Sequence, residues 1–256
     1  MKIASWNINS IRARTERLCA WLEANKPDVL CLQELKCQED QFPFAEVGAA
    51  GYRAVVHGQK TYNGVAILAR EEPVDVLRGL SDHREDPQSR VIAATVRGVR
   101  VVCLYAPNGQ AVDSPAFLYK LEWFGRLRSY LETRHKKDEP LVLTGDFNVA
   151  PAAIDTHDPE LWEGQTMFTQ REREALAEVT SFGLVDTFRT LHPEESKFSW
   201  WDYRMLAFPK NRGLRIDHLF VTQPLAEKLV AADIDREARK GKQPSDHAPV
   251  WAEFAV

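Results

Sequence analysis

LVLTGDFNVAP, residues 141–151, opens as an interior strand and ends on a carboxylate and an amide. Leu141, Val142 and Leu143 form a short apolar run, introduced by Pro140 and closed by Gly145, as expected of a strand buried on both faces. Asp146, Phe147 and Asn148 follow at once. Asp and Asn are common turn formers, so a simple turn accounts for them when the stretch stands alone. Whether it is a turn or a site depends on how the other strands end.

The flanking sequence has the same punctuation. IASW (3–6) reads as a strand, and IRARTERLCAWLEA (11–24) as an amphipathic helix with Ile11, Leu18 and Leu22 on one side and Ser10 at its N-cap. VLCLQ (29–33) is the next strand. Further strands are expected at 52–56, 64–68, 91–96 and 101–105, and a helix over 115–135. Beyond a loop from 146 to about 169, the pattern predicts a helix over 171–182. The last strands expected are FSWW (198–201), RIDHLFV (215–221), AADID (231–235) and VWAEF (250–254). No linker, repeat or composition break divides the chain, so residues 1–256 are expected to form one domain, a layered α/β or α+β sandwich with two sheets inside. A connection as long as 146–169 is unusual without a function. Its Asp155, His157, Asp158 and Glu160 are expected to be solvated rather than to hold a second metal.

Composition narrows the classes. With 44% hydrophobic and 27% charged residues the chain is an ordinary globular one, and it has no apolar run of membrane-spanning length. The opening MKIASWNINS lacks a secretory h-region, and Cys19, Cys31, Cys37 and Cys103 form no CxxC pair. A cytoplasmic, reducing compartment is therefore expected, with Cys31 and Cys103 packed in strands. The net charge of −4 argues against non-specific nucleic-acid binding by the whole surface. Local basic groups remain: Arg12, Arg14 and Arg17; Lys210, Arg212 and Arg215; and Arg236, Arg239, Lys240 and Lys242.

The polar residues collect at strand ends. Asn7 follows the first strand and Glu34 the second, and the helix between them should make those strands parallel, so both emerge at one edge. Tyr105 closes 101–105 and leads into the turn Ala106-Pro107-Asn108-Gly109. Asp217 lies inside the apolar run RIDHLF, where a carboxylate needs a partner, Arg215 or a histidine. Asp246 and His247 stand just before the last strand. Each has an ordinary reading as a turn former, a surface acid or a structural histidine. Together they supply hard oxygens for Mg²⁺, a base for water and an electrophile for a leaving oxygen.

SWNINS (5–10), LQELK (32–36), YAPNG (105–109), TGDFN (144–148), FSWWDYR (198–204), NRGLRIDHLF (211–220) and PSDHAPVWA (244–252) resemble, in order, the motifs of the exodeoxyribonuclease III family. This is the bacterial apurinic/apyrimidinic endonuclease branch of the endonuclease/exonuclease/phosphatase superfamily. The resemblance covers essentially the whole chain; GDFN and SDHAP mark the superfamily, and WWDYR with NRGLRID marks the DNA repair branch. It implies a DNase I-like, four-layered α/β sandwich with two central mixed sheets flanked by helices, and hydrolysis of DNA phosphodiesters with Mg²⁺ or Mn²⁺. Carried over by position, it implies Glu34 as chief metal ligand with Asn7 beside it. Asp146 would orient or deprotonate water, and Asn148 would hold water and phosphate. Asp146, Asn148, Asp246 and His247 all fall in or near the metal shell. His247, paired with Asp217, would polarise the phosphate, and Tyr105 would contact phosphate or leaving group. Trp200, Leu214 and Ile216 would line a pocket for a base-less sugar, with Trp201 facing the core, and Asn108 and Arg212 would touch DNA.

Leu35 stands where that family usually has Thr, Ser10 where Gly is usual, and Asn9 where some relatives have Asp. The expected partner is double-stranded DNA with abasic sites or blocked 3′ ends, met by a monomer without a membrane. Two alternatives differ in class: a superfamily phosphodiesterase on a phosphoinositide or sphingomyelin, and a damaged-DNA-binding module without catalysis. FSWWDYR and NRGLRID speak against the first, and the full set of reacting groups against the second.

Overall fold

The computed structural model describes residues 1–82, 84 and 86–256. Among them lie twelve strands: β1 (Lys2–Asn7), β2 (Val29–Gln33), β3 (Arg53–His57), β4 (Val65–Ala69), β5 (Val74–Arg78), β6 (Val91–Val96), β7 (Val99–Tyr105), β8 (Leu141–Asp146), β9 (Leu184–Asp186), β10 (Asp217–Thr222), β11 (Leu229–Ile234) and β12 (Val250–Phe254). The helices are α1 (Ile11–Asn25), α2 (Phe44–Ala49), α3 (Pro115–Arg134), α4 (Pro159–Trp162), α5 (Gln170–Thr180), α6 (Thr187–Leu191) and α7 (Gln223–Ala226).

The strands form two six-stranded mixed sheets, ordered β11-β12-β1-β2-β4-β3 and β5-β6-β7-β8-β10-β9. Side-chain alternation explains the layers. Ile3, Val29 and Cys31 point into a core shared with Val101, Cys103 and Val142 of the second sheet. Their neighbours Ala4, Trp6, Leu30 and Leu32 point the other way, against Leu18, Trp21 and Leu22 of α1. On the far side, Leu141 and Leu143 of β8 meet Trp123, Leu127 and Leu131 of α3 and Leu176 of α5. The result is the four-layered, DNase I-like sandwich that the motifs imply.

Three local expectations are corrected. Ser10 does not cap α1: its φ is 83° and its side chain makes no cap bond. The entry to α1 is held instead by the N–H groups of Ser10 and Ile11, which donate to the carbonyls of Glu34 and Leu35. FSWW is not a strand but a segment held by single bridges, Trp200 to Leu214 and Trp200 to His247. Here the Ser199 hydroxyl, rather than a ladder, takes the N–H groups of Ile216 and Asp217. The loop after β8 contains α4, and its Asp155 is buried rather than solvated. Arg215 reaches Asp155 Oδ1 at 2.7 Å and Asp186 Oδ2 at 2.8 Å, and Arg189 pairs with Asp155 at 2.6 Å. Arg215 is thus the partner of those two acids and not of Asp217.

Candidate active site

The pairing of the strands brings their polar ends to one edge. β1 and β2 are parallel with Asn7 opposite Gln33, so Asn7 and Glu34 leave the first sheet side by side. β7 and β8 are parallel with Tyr105 opposite Asp146, and β10 starts antiparallel to β8 with Asp217 opposite Asp146. Gly145 makes the last step of β8 feasible: its φ is +148°, and a Cβ there would stand 1.8 Å from the Leu104 carbonyl oxygen. The backbones of Asn9, Ser10, Glu34, Lys36 and Asn148 also lie at positive φ, between 46° and 83°. Non-glycine residues adopt such angles at a cost, and here they gather around one set of side chains.

The Asn7 amide ties the two sheets together, donating from Nδ2 to Glu34 Oε1 and to Asp146 Oδ2, each at 2.9 Å. Its oxygen accepts from the Asn9 N–H at 3.0 Å, so its nitrogen faces the carboxylates. Lys36 lies 2.8 Å from Glu34 Oε2 and donates to Asn9 Oδ1 at 2.6 Å. Glu34, Asp146 and His247 offer ligand atoms all within 4.8 Å of one another. Two hard carboxylate oxygens at one partly open point suit a divalent cation that keeps several waters.

His247 is fixed by Asp217, whose Oδ2 lies 2.8 Å from Nδ1, leaving Nε2 3.7 Å from Asp146 Oδ2. Burial opposes a charge on the ring, but the nearby carboxylates of Asp217, Asp146 and Asp246 outweigh it and push its pKa up to about 10. A ring so favoured in its charged form carries a proton that Nε2 can donate. Burial raises the Asp146 carboxyl to about 7, with His247 pulling it down and Asp217 adding to the rise. A cation on Asp146 favours its ionised form. Burial, then Glu34 and Asp146, hold the Tyr105 phenol well above its ordinary range, so it stays a proton donor.

Asn148 donates its N–H to Asp146 Oδ1 at 2.9 Å and its amide to the Ala106 carbonyl at 3.0 Å, and it accepts from Asn108 at 3.1 Å. Asp246 lies outside the group of ligand atoms formed by Glu34, Asp146 and His247. Its oxygens accept from Asn9 Nδ2 at 2.8 Å and from Trp200 Nε1 at 3.1 Å. Burial works against its charge, but His247 and those two bonds keep its carboxyl below the usual range. Trp200 is half-buried, whereas Trp201 is fully buried. Leu214 and Ile216 have almost no exposed surface; they pack beneath Trp200 with Ala150 and Phe168. Asn108 and Arg212 are both exposed.

Three contributors were not singled out from sequence. Ser199 donates to Asp217 Oδ2 at 2.7 Å, and its only signal was a lone hydroxyl in an apolar stretch. Ser245 donates to the Asn7 carbonyl at 2.6 Å and accepts the His247 N–H. Trp162 packs edge-on against Trp200 with centroids 6.4 Å apart, giving a second aromatic wall.

An edge with oxygens for a divalent ion and donors for a phosphate belongs to a hydrolase of phosphate esters. The pattern of the Endonuclease/Exonuclease/phosphatase family matches residues 4–247, and the chain belongs to that family. Aligned over 266 positions it is 40% identical to exodeoxyribonuclease III of Haemophilus influenzae, covering 99% of this chain and 100% of the relative. Among solved structures, it resembles a 3′ phosphatase from Neisseria bound to a product DNA hairpin, at 47% identity, TM-score 0.96 and full coverage (100%) of both chains. An AP endonuclease from Archaeoglobus fulgidus gives 40% identity and a TM-score of 0.97, again covering 100% of both. The chain is a DNA repair nuclease, a hydrolase acting on DNA.

Proposed function

We propose that this chain, acting as a single catalytic domain over residues 1–256, hydrolyses DNA phosphodiesters 5′ to abasic sites. On the same reading it removes nucleotides and blocking groups from 3′ ends of duplex DNA, with Mg²⁺, or Mn²⁺, as cofactor. The observation that carries it is the meeting of Glu34 and Asp146, from different sheets, beside a buried His247–Asp217 pair. The names of the Neisseria and Archaeoglobus relatives support both 3′-end and abasic chemistry.

The residues divide the work. Glu34 and Asp146 would hold the metal, with Asn7 keeping their oxygens together. A divalent ion held there would supply positive charge against the phosphate. Asp146 accepts a proton from the attacking water, and Asn148 and Asn108 present amide donors to the phosphate. The His247 imidazolium would donate to a non-bridging oxygen, and the neutral Tyr105 would serve as a donor to the leaving oxygen. Trp200, backed by Leu214 and Ile216 and flanked by Trp162, offers an apolar wall to a bare sugar. An abasic nucleotide lacks its own stacking and pairing, so turning it out of the duplex costs less. The exposed Arg212 and Asn108 suit phosphate contacts that position the duplex without reading its sequence. On the same reading the protein works as a monomer in the cytoplasm.

The test compares an abasic duplex with an intact duplex bearing a recessed 3′ end, each with EDTA and then with excess Mg²⁺. Cleavage of both that stops in EDTA and returns with Mg²⁺ is expected. Full activity in EDTA, or none on the abasic duplex, overturns the corresponding part of the proposal. Trp200→Ala is expected to lose preference for the abasic substrate while staying folded; equal losses on both substrates would deny it that role.

A further inference from the structure

Lys120 lies within α3, and its side chain is completely buried. An ammonium carries three N–H donors. Here one goes to the Asn108 carbonyl at 3.1 Å, one to the Asn148 carbonyl at 2.7 Å and one to the Glu172 carboxylate. Those acceptors belong to the turn after β7, the turn after β8 and the first turn of α5. Glu172 is itself fully used: it accepts the N–H groups of Met167 and Thr169 at 3.0 Å and the Thr169 hydroxyl at 2.7 Å.

A fully buried ion pair is a poor way to gain stability, because an apolar pair of similar volume often does as well. What it does supply is fixed geometry. Asn148 is held in the left-handed region, with φ 52°. Its N–H and side chain are bound by atoms of the site itself, and its carbonyl is bound by Lys120. The same ammonium holds the carbonyl of Asn108, whose side chain donates to Asn148.

We propose that Lys120, charge-paired with Glu172, is a positioning residue of the hydrolytic site: it sets the two strand-end turns so that the Asn108 and Asn148 amides meet the phosphate in the transition state. It touches no substrate. Donors displaced by about 1 Å can lower a rate roughly a hundredfold while ground-state binding changes little. The inference rests on the phosphodiester hydrolysis proposed above.

The experiment uses the double variant Lys120→Met/Glu172→Gln, which removes both charges together and leaves neither buried alone. Both kcat and KM are measured on an abasic duplex with Mg²⁺, beside wild type, with thermal unfolding and the side-chain amide NMR signals of Asn108 and Asn148. The expected result is a folded protein with kcat at least tenfold lower, KM within threefold and shifted amide signals. Glu172→Gln alone, which retains the capping box, is expected to lose at least threefold in kcat and serves if the double variant does not fold. Wild-type kcat in either folded variant overturns the inference, as does a loss explained fully by the unfolded fraction. An inactive wild type would instead overturn the proposed function, so the two failures are distinct.

Discussion

Asp217 matters to catalysis only if its charge and direction are what keep His247 protonated and aimed. Its Oδ2 receives both the imidazole and the Ser199 hydroxyl, so the carboxylate is itself oriented. His247→Ala is expected to lower kcat on the order of a hundredfold to a thousandfold, as for loss of a strong transition-state donor. Asp217→Ala should be severe too, and the double variant little worse than His247→Ala, because one unit is broken either way. Defects that multiply would show that the two act separately. A second histidine makes a prediction about stability. His218 is buried, accepting from Arg215 at 3.1 Å and donating to the Val149 carbonyl at 3.0 Å. Burial, aided by the Arg215 charge, pushes its pKa down to about 4. The unfolded chain takes up a proton near its ordinary value while the folded one resists. Stability from this group is therefore complete above about pH 6.5 and is lost as pH falls toward 4, by up to roughly 3 kcal/mol. Urea unfolding at pH 7 and pH 5 should show a smaller loss in His218→Gln than in wild type. Identical pH slopes would remove His218 from the account.

At the scale of elements, the strand ends do the positioning. Gly145 is the clearest case, since any side chain there collides with β7. Gly145→Ala is expected to cost more than about 2 kcal/mol in urea unfolding and to lower activity in the fraction that remains folded, since backbone must move next to Asp146. Unchanged stability would mean that β7 and β8 are not locked together as described. The same strand ends were legible in sequence, because an apolar run broken by Asp, Glu or Asn shows where a strand stops and what it delivers. Asn7, Glu34 and Asp146 are readable for that reason, and Tyr105 because it closes its run just before a turn. FSWW misled because Phe and Trp favour strands, while the segment's partners come singly from Leu214 and His247. The edge strand β5 goes unread because its VDVLR pattern is short, and four of its five residues are exposed. Asp155 was taken for a solvated acid because its partner Arg215 lies 60 residues away. Lys120 and Glu172 are similarly distant, and the Thr169-x-x-Glu172 pattern signals only a helix start, not the buried lysine it pairs with.

At the scale of the molecule, neither sheet holds a complete site. The first brings Asn7 and Glu34, the second Tyr105, Asp146 and Asp217, and His247 comes from the loop leading back into the first. The shared core between the sheets sets the distance between these groups. The central claim is therefore that Glu34 and Asp146, from opposite sheets, are ligands of one divalent ion. Mn²⁺ binding, read by electron paramagnetic resonance without DNA or turnover, tests it most directly. Glu34→Gln and Asp146→Asn are each expected to weaken binding by roughly tenfold or more while remaining folded. Wild-type Mn²⁺ affinity in either variant would contradict it.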